Sequence, residues 1–378
     1  MQTLHKTGPP FNNNSPYNTP IAPGHPVDPN ISMTTMINNA GEPKAHLYYF
    51  PTRIYYVNGN TERRIPVNCT EPWGTCELEN EPGGVPIPVG AKGAPEDDGH
   101  MIVWDTVNNI SYEFWRYRYP NNTAPEGQTS WGGLVSAAGN GVDNPGGRLG
   151  AGGATGSDIS RLAGIIRKEE VAAGVINHAL IGPTNNSCGT YRWPALKSDG
   201  PSTRPDCIPE GARLQLDPSI DLNTVTGMRP IDRMIAKALQ TYGWYNVDRG
   251  GTPSTGSSTE WYIQFEIDPN ATGPDCPQVG SVYCNAGLSY DYEMLQGTLP
   301  DGSKLFQHMR VLADGPFEPP ATNVSPDQTS APPDTTNLNA GKIYPYPVPF
   351  ASSITAKVPG NNNAAAVIKF KLMHIAQQ

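Results

Sequence analysis

The sequence predicts a mainly β protein: a β-sandwich or jelly-roll-like body with two supporting α-helices and long Pro/Gly-rich loops. Charged residues make up only 16% of the 378 residues, while glycine and proline number 40 each. This balance favours turns and short strands over long helices. Several short segments also alternate between apolar and polar residues, as strands with one buried face do. No repeat of fixed period is visible, so we expect one large body.

Four regions are expected along the chain. They are an extended N-terminal arm (1–45), a single large β-rich body (46–315), a Pro/Thr/Asn-rich connector (316–340) and a C-terminal strand segment (341–378). The arm is rich in Pro, Asn and Thr and has no periodicity. The last region contains "AAAVIKFKLMHI", a strand that could pair with a sheet edge of the body or of a neighbouring molecule.

Three segments carry the strand prediction. "HLYYFPTRIYYV" (46–57) is aromatic and β-branched around a proline, which indicates two short strands or one broken edge strand. "HMIVWDTVNNISYEFWRYRY" (100–119) indicates two strands around the turn "TVNN". "TEWYIQFEID" (259–268) alternates cleanly. Its apolar face consists of Trp261, Ile263, Phe265 and Ile267.

Two helices are expected in the second half of the body. The first begins near Ser157 or Asp158, either of which can cap it, and ends at Gly174. The second is "RPIDRMIAKALQTYG", with Pro230 in its first position and Gly243 just past its end. Between them, the apolar run "VINHALIG" is typical of a strand buried on both faces.

That buried strand contains a histidine, His178, for which two interpretations stay open. A structural histidine would sit in the core or on a cleft floor and donate one ring N–H to a carbonyl or carboxylate. A catalytic histidine would act as general base or acid and would need a carboxylate to orient it. The candidates for that carboxylate are Asp105, Asp158 and Asp248.

The cysteines and sequons predict a secreted, extracellular glycoprotein. Six cysteines without any C-x-x-C pair indicate disulfides rather than a metal site. Fifteen connectivities are possible, and the short spacings favour Cys69–Cys76, Cys188–Cys207 and Cys276–Cys284. Disulfides belong to an oxidising compartment. Asn-x-Ser/Thr sequons, which point the same way, begin at Asn13, Asn30, Asn68, Asn109, Asn121, Asn185, Asn270 and Asn323.

Composition argues against several partners. The formal charge is −9 and no Lys/Arg-rich run is present, so neither nucleic acid nor an anionic membrane surface is expected to bind. No apolar stretch approaches the ~20 residues that span a bilayer. The glycine-rich "GGRLGAGGATG" lacks the GK[ST] ending of a phosphate loop, and the histidines lack metal-ligand spacing. We therefore expect no cofactor, and either a monomer or a self-assembling homo-oligomer.

A polysaccharide is the expected ligand class. Glycoside hydrolysis needs two carboxyl groups, about 5.5 Å apart for retention and farther apart for inversion, with aromatic platforms for sugar rings. The candidate catalytic residues are His178, Asp105, Glu113 and Asp248, and the candidate substrate-binding residues are Trp104, Trp115, Arg192 and Trp193. A lyase is a second possibility, with a tyrosine or histidine as base and an arginine near a uronate carboxylate.

Two other interpretations of these residues stay open. The acids can be surface groups of an acidic protein, and the aromatic residues can fill a β core. The chain can also be a non-enzymatic glycan-binding or structural glycoprotein, such as a coat, wall or filament subunit that adds strands to its neighbours. No G-x-S-x-G motif supports a serine nucleophile.

Four segments carry a family resemblance: "SPYNTPI" (15–21), "EEVAAGVINHAL" (169–180), "GARLQLDPSIDL" (211–222) and "ALQTYGWYNVDRGG" (238–251). Together they resemble an uncharacterised family of secreted bacterial and fungal proteins, over about residues 15–248. The resemblance implies export and a compact body. That family has no assigned mechanism, so the resemblance transfers no catalytic residue to this chain.

Overall fold

The computed structural model describes most of the body of the chain. The described residues are 8–47, 49–73, 75–122, 125–142, 152–251, 259–268, 281–288 and 293–315. All of them belong to one compact unit, Met1–Thr322. The predicted connector (316–340), the predicted C-terminal strand segment (341–378) and Cys276 lie outside the described residues.

Strands dominate the described chain, so the mainly β prediction is confirmed. The helices are α1 (Ile31–Asn38), α2 (Lys168–Ala173), α3 (Pro230–Thr241) and α4 (Val282–Asn285), with 3-10 turns at Glu77–Asn80, Arg161–Ala163 and Leu305–His308. The strands are β1 (Lys44–His46), β2 (Arg53–Val57), β3 (Arg64–Ile65), β4 (Val67–Cys69), β5 (Val85–Pro86), β6 (Met101–Asp105), β7 (Ile110–Trp115), β8 (Gly127–Thr129), β9 (Trp131–Ser136), β10 (Leu180–Thr184), β11 (Ser187–Tyr191), β12 (Ile208–Glu210), β13 (Arg213–Leu216), β14 (Trp244–Arg249), β15 (Tyr262–Gln264) and β16 (Met309–Val311).

One four-stranded sheet has the order β2-β6-β7-β9. Strands β6 and β7 form the antiparallel hairpin predicted around "TVNN", and β2 runs parallel to β6. The sheet is buried through apolar side chains, including Met101, Val103, Phe114 and Leu134. This sheet carries several of the predicted site residues, because Trp104, Asp105 and Glu113 lie on its two central strands.

A second four-stranded sheet has the order β10-β14-β13-β16. Helix α3 packs against it through an apolar stripe that includes Ile231, Ile235 and Leu239. The remaining strands form the two-stranded pairs β1-β15, β11-β12, β3-β5 and β4-β8. None of the helices in the described ranges is long and apolar enough to cross a membrane.

Two of the three predicted disulfides are present. Cys69 is bonded to Cys76 and Cys188 to Cys207. The third prediction pairs Cys284 with Cys276, which lies outside the described residues. The two observed bridges confirm local connectivity for these four cysteines. Each closes a loop that bears on a candidate site described below.

The first predicted helix, expected from about residue 157, is much shorter than predicted. Asp158 has a positive φ of 66°, which a helix does not accommodate. Backbone N–H groups of Arg161 and Leu162 donate to the carboxylate of Glu113 instead of entering a helical ladder. Only α2 (Lys168–Ala173) is α-helical in this segment, ending at Gly174 in the left-handed conformation as predicted.

Two further boundaries differ from the predictions. The N-terminal region expected to be extended contains α1, which buries Met33, Met36 and Ile37 at helical spacing. The strand predicted from residue 175 begins only at Leu180, and His178 precedes it in a bend. The hydrogen bonds of the His178 ring to the Ala179 carbonyl oxygen and to Glu170 hold the backbone in this bend.

Candidate functional site

Three of the predicted site residues lie in the core instead of lining a cleft. Trp104, Asp105 and Glu113 are fully buried, with 0% of their surface exposed. The guanidinium of Arg167 lies over the Trp104 ring, 5.6 Å from its centroid. Trp104 therefore packs the interior and offers no stacking surface to a sugar. The reason is its position on β6, a strand whose five residues are all buried.

The carboxylate of Asp105 stabilises the hairpin turn. Its Oδ1 accepts backbone N–H groups of Val107 and Asn108, each at 3.1 Å, and of Gly59 at 3.0 Å. The Asn108 amide donates to the other oxygen at 2.6 Å. A buried carboxylate that accepts three hydrogen bonds from its own turn and one from the distant Gly59 N–H satisfies these donors and has no access to a substrate.

Glu113 holds the loop that replaces the predicted helix. Its Oε2 accepts the backbone N–H groups of Ala154 (3.1 Å) and Arg161 (2.9 Å). Its Oε1 accepts the Leu162 N–H and the Ser160 hydroxyl. This buried carboxylate fixes a segment distant in sequence, so the structure gives Glu113 a structural position rather than a catalytic one.

His178 belongs to an ion cluster, which we define as Arg167, Glu170 and His178. The histidine is fully buried, and its Nε2 lies 2.9 Å from Glu170 Oε1 while its Nδ1 lies 2.7 Å from the Ala179 carbonyl oxygen. Both partners are acceptors, so the geometry calls for a proton on each ring nitrogen. Arg167 donates to the same Glu170 oxygen at 2.8 Å.

The ion cluster governs the charge of Glu170. Burial alone would raise the pKa of this carboxyl, but the positive neighbours His178 and Arg167 lower it to about 2. The cluster is internally paired, and neither ring nitrogen of His178 is left to exchange a proton with a substrate. Of the two interpretations of His178, the geometry favours the structural one.

The surface carries a tryptophan platform, which we define as Trp73, Trp115 and Trp131. Trp115 ends β7 and Trp131 begins β9, and the two residues are paired across the strands. Trp73 lies in the loop closed by Cys69–Cys76 and is 59% exposed. Its ring stacks on Trp115 with centroids 5.7 Å apart and planes at 20°, and lies 5.8 Å from Trp131.

Polar groups border the platform. The Arg116 guanidinium lies 4.5 Å from the Trp115 ring centroid, and the Trp115 indole N–H donates to Asp98 Oδ1 at 3.0 Å. Burial raises the pKa of Asp98, but the hydrogen bond from His100 and the indole N–H outweigh it and hold the pKa below its usual range. An anchored indole face therefore lies beside an exposed cation and a carboxylate.

A second group of polar residues is the carboxyl cluster, which we define as Asp199, Glu210 and Asp248. Glu210 ends β12 and is fully buried, whereas Asp199 lies on the 188–207 loop with a side chain 44% exposed. Asp248, in β14, is 23% exposed and its Oδ2 accepts from Arg161 at 3.3 Å. The sequence prediction included only Asp248 of these three.

The carboxyl groups of this cluster oppose one another's ionisation. Burial, together with the adjacent carboxyl of Asp199, raises the pKa of Glu210 to about 10. Burial and Asp199 raise the pKa of Asp248 to about 7, although Arg161 opposes the shift. No cation within the described ranges donates to either oxygen of Glu210. Glu210 therefore keeps a proton at neutral pH and Asp248 is partly protonated there, as general acid catalysis requires.

The two remaining predicted residues, Arg192 and Trp193, lie on the loop closed by Cys188–Cys207, which also carries Asp199. The backbone N–H of Arg192 donates to the Glu210 carbonyl oxygen at 2.7 Å, and Trp193 is 41% exposed. The Arg192 guanidinium is already bound to Asp28 at 2.7 Å and Asp314 at 3.1 Å. Arg192 therefore ties two distant segments together and is not available to bind a uronate.

The structure thus divides the predicted site residues among several places. It places Asp248 in the carboxyl cluster, joins the backbone of Arg192 to that of Glu210, and places Trp115 on the platform. Sequence reasoning missed Trp73, Asp199 and Glu210. A signal existed for Trp73, the tryptophan of the cysteine-closed "NCTEPWGTC" loop, because a short disulfide loop holds its side chain at the surface. No local signal marks the other two.

Comparisons with known proteins add no assignment. No protein-family model matches the chain, and neither a curated protein nor a solved structure matches it. The resemblance to a secreted family therefore stays a prediction. Within the described ranges, no group of three or more His, Cys, Asp or Glu side chains is arranged to hold a metal ion.

Proposed function

We propose that this protein is secreted and binds a polysaccharide through the tryptophan platform. The observation that carries the proposal is the Trp73 ring, 59% exposed and stacked on Trp115. Large exposed aromatic surfaces on soluble domains mark interaction sites. A sugar ring can place its C–H face on an indole while its hydroxyls bond to nearby polar groups. Arg116 and Asp98 supply a donor and an acceptor there.

Secretion is supported by the disulfides and the sequons. The bridges Cys69–Cys76 and Cys188–Cys207 suit an oxidising compartment. The first also has a direct role in the proposed site, because it closes the loop that carries Trp73. Reduction of this bridge would release the exposed ring from its neighbours and weaken glycan binding.

The binding proposal is tested with insoluble cellulose, chitin and β-1,3-glucan in pull-down assays, and with a glycan array. We expect the W73A variant to lose about tenfold or more in affinity, because one stacked ring is worth roughly 1.5 kcal/mol. The V89A variant is the matched control, since Val89 is 77% exposed and lies outside the platform. Both variants should keep the wild-type melting temperature, because both side chains are exposed.

A third variant, W193A, separates the two exposed tryptophan sites. Trp193 was predicted to bind substrate, and it lies outside the platform, on the 188–207 loop that also carries Asp199. Loss of binding in W193A with full binding in W73A would contradict the platform proposal. Absence of binding to every polymer tested would favour the structural alternative, and size-exclusion chromatography would then look for ordered polymers of the chain.

Cleavage of the bound polysaccharide is a second candidate function, favoured by the carboxyl cluster. Asp248, with a pKa raised to about 7, can donate a proton to the glycosidic oxygen. Asp199, the most exposed of the three, can accept a proton from the water that attacks the anomeric carbon. Glu210 is fully buried and contacts no substrate, so its role is to keep a proton and position Asp199.

The hydrolytic candidate is tested by release of reducing sugars from the polymers that the protein binds. The D199N and D248N variants should lose activity by about a hundredfold or more, because each removes one proton-transfer partner. Their pull-down binding should match that of the wild type, since neither residue lies on the platform. Unchanged sugar release in both variants would exclude the cluster, and no release by the wild type would leave a binding protein.

A further inference from the structure

A groove between helices α2, α3 and α4 shares no residue with the tryptophan platform, the carboxyl cluster or the ion cluster. Its volume is about 670 Å³, within the range of ~300–1,000 Å³ that is typical of small-ligand sites. Helix α3 forms one wall of the groove. Helix α2, with the turn that follows it, forms a second wall, and helix α4 forms the third. Nothing in the proposed glycan function uses this groove.

The groove is lined mainly by aliphatic side chains. They include Val171, Val175, Ile176, Met234, Val282 and Ala286. Val175 is 45% exposed, which is unusual for a valine next to other apolar residues on a folded domain. An elongated apolar ligand would remove this surface from water.

Two cations of α3, Arg233 and Lys237, line the same groove one helical turn apart. Arg233 donates to the Leu222 carbonyl oxygen at 3.1 Å. Within the described ranges neither side chain forms an ion pair, although the chain carries a net charge of −9. Two adjacent cations without acidic partners beside an apolar surface complement an anionic head group.

Three acidic residues adjoin the groove in the chain, and each has a partner away from Arg233 and Lys237. Asp232 pairs with Arg229 at 2.7 Å. Glu170 binds His178 and Arg167 in the ion cluster. The Tyr56 hydroxyl donates to Glu169 at 3.5 Å. Lys168 is paired with Glu266 at 3.1 Å. Glu170 and Asp232 are thus paired with cations, and Glu169 accepts a hydrogen bond on the other side of α2. Arg233 and Lys237 are the charged side chains that line the groove itself.

We propose that this groove binds a linear long-chain carboxylate, with the alkyl chain on the aliphatic residues and the carboxylate on Arg233 and Lys237. The ligand is a single amphipathic molecule in solution. Each methylene of the alkyl chain that is buried raises the affinity about fourfold. Its charge contributes selectivity against a neutral alcohol of the same length.

The test is a calorimetric titration of the full chain with laurate below its micelle concentration, beside dodecanol and hexanoate. We expect one saturable site for laurate, with hexanoate weaker by at least about 100-fold because six methylenes are missing. Dodecanol should bind more weakly than laurate by about tenfold, because it lacks the charge. Laurate should also raise the melting temperature, as a ligand of the native state does.

Three variants assign the site. R233Q/K237Q should weaken laurate about tenfold and leave dodecanol unchanged, whereas R63Q/K92Q, which removes two exposed cations elsewhere, should change neither. V175D places a carboxylate in the groove at an exposed position and should abolish laurate binding without a fall in melting temperature.

Several outcomes would overturn the proposal. They are no saturable binding of laurate, equal binding of laurate and dodecanol, or unchanged laurate affinity in both R233Q/K237Q and V175D. Binding to phosphatidylglycerol vesicles without binding of free laurate would also overturn it, because the occupant would then be a lipid surface. The glycan assays above are independent of all these results.

Discussion

The ion cluster and the carboxyl cluster are two buried acidic sites with opposite solutions to the same physical problem. Glu170 in the first cluster has two positive neighbours, and its pKa falls to about 2. Burial, together with the adjacent carboxyl of Asp199, raises the pKa of Glu210 in the second cluster to about 10. Both side chains are glutamates removed from water. The neighbours, not the residue type or burial, determine which one is charged at neutral pH.

This difference separates a structural site from a chemical one. A cluster with paired charges and filled hydrogen bonds stabilises the native state and offers no exchangeable proton. A cluster of like charges costs stability and retains protons near neutrality, as acid–base sites do. Five variants probe that contrast, in order from the largest expected loss of free energy of unfolding to the one expected gain.

The largest effect is expected for E170Q. It leaves Arg167 and His178 as buried cations without a carboxylate, and removal of one partner from a buried ion pair costs roughly 4 kcal/mol. Urea denaturation at pH 7 measures the loss. Because the folded pKa of Glu170 is depressed, its stabilisation is present above about pH 4.5 and is lost as pH falls toward 2. The deficit of E170Q should therefore shrink between pH 5 and pH 3, and a constant deficit would contradict the ion-cluster account.

Removal of the bridge between Cys188 and Cys207 ranks next. The C188A/C207A variant should lose about 3 kcal/mol, because the bridge closes a loop of 19 residues' separation, and C69A/C76A should lose less, about 2.5 kcal/mol, for a separation of seven. The loop closed by Cys188–Cys207 also carries Asp199. The pH dependence assigned below to Glu210 should therefore weaken in C188A/C207A and persist in C69A/C76A.

His178 gives a smaller effect of the same sign as that of Glu170. H178Q should cost about 2 kcal/mol, because glutamine cannot satisfy both the Glu170 carboxylate and the Ala179 carbonyl oxygen in the same geometry. Any sugar release should fall only in proportion to folded protein. A variant with unchanged melting temperature and turnover reduced about a hundredfold would instead make His178 catalytic.

The only stabilising effect is expected for E210Q. Between about pH 4.5 and pH 10 the folded protein holds a proton on Glu210 that the unfolded chain releases, so wild-type stability falls as pH rises through that window. Glutamine mimics the protonated carboxyl and removes this dependence. We expect E210Q to melt at least about 4 °C above the wild type at pH 8, because a folded pKa near 10 costs the wild type more than about 1 kcal/mol there.

The matched measurement for E210Q is its melting temperature at pH 4. There the wild-type Glu210 and the glutamine should be nearly equivalent, because Glu210 is protonated in the folded state and mostly protonated in the unfolded chain. A lower melting temperature for E210Q at pH 8 would mean that Glu210 is ionised and partnered in the folded protein. Glu170 and Glu210 would then both be ionised and paired, and Glu210 would not hold a proton at neutral pH.

Much of the local structure was predictable from the sequence. Helix α3 follows from Pro230, Gly243 and an apolar stripe, and the β6–β7 hairpin follows from two apolar runs around "TVNN". The two observed disulfides follow from short spacing. In each case the interactions that determine the structure join residues close in the chain. The sequence of that segment is therefore enough to predict its structure.

The site residues were harder to predict because distant contacts decide their environment. Asp105 and Glu113 have the residue types of a hydrolase site, yet one completes a turn and the other binds backbone N–H groups 41 to 49 positions away. Those N–H groups also shorten the predicted helix. Sequence patterns identify an acid and its strand, but not the donors that the rest of the chain brings to it.

By itself, the sequence determined the mainly β class, the amphipathic helix, the hairpin and the local disulfides, because period, turn residues and spacing act over a few residues. Only the tertiary structure decided that Glu170 is paired with cations and Glu210 with acids, that Trp104 is buried and that Trp73 stacks at the surface. Ionisation and exposure depend on which distant segments pack around a side chain, and the linear pattern does not contain that information.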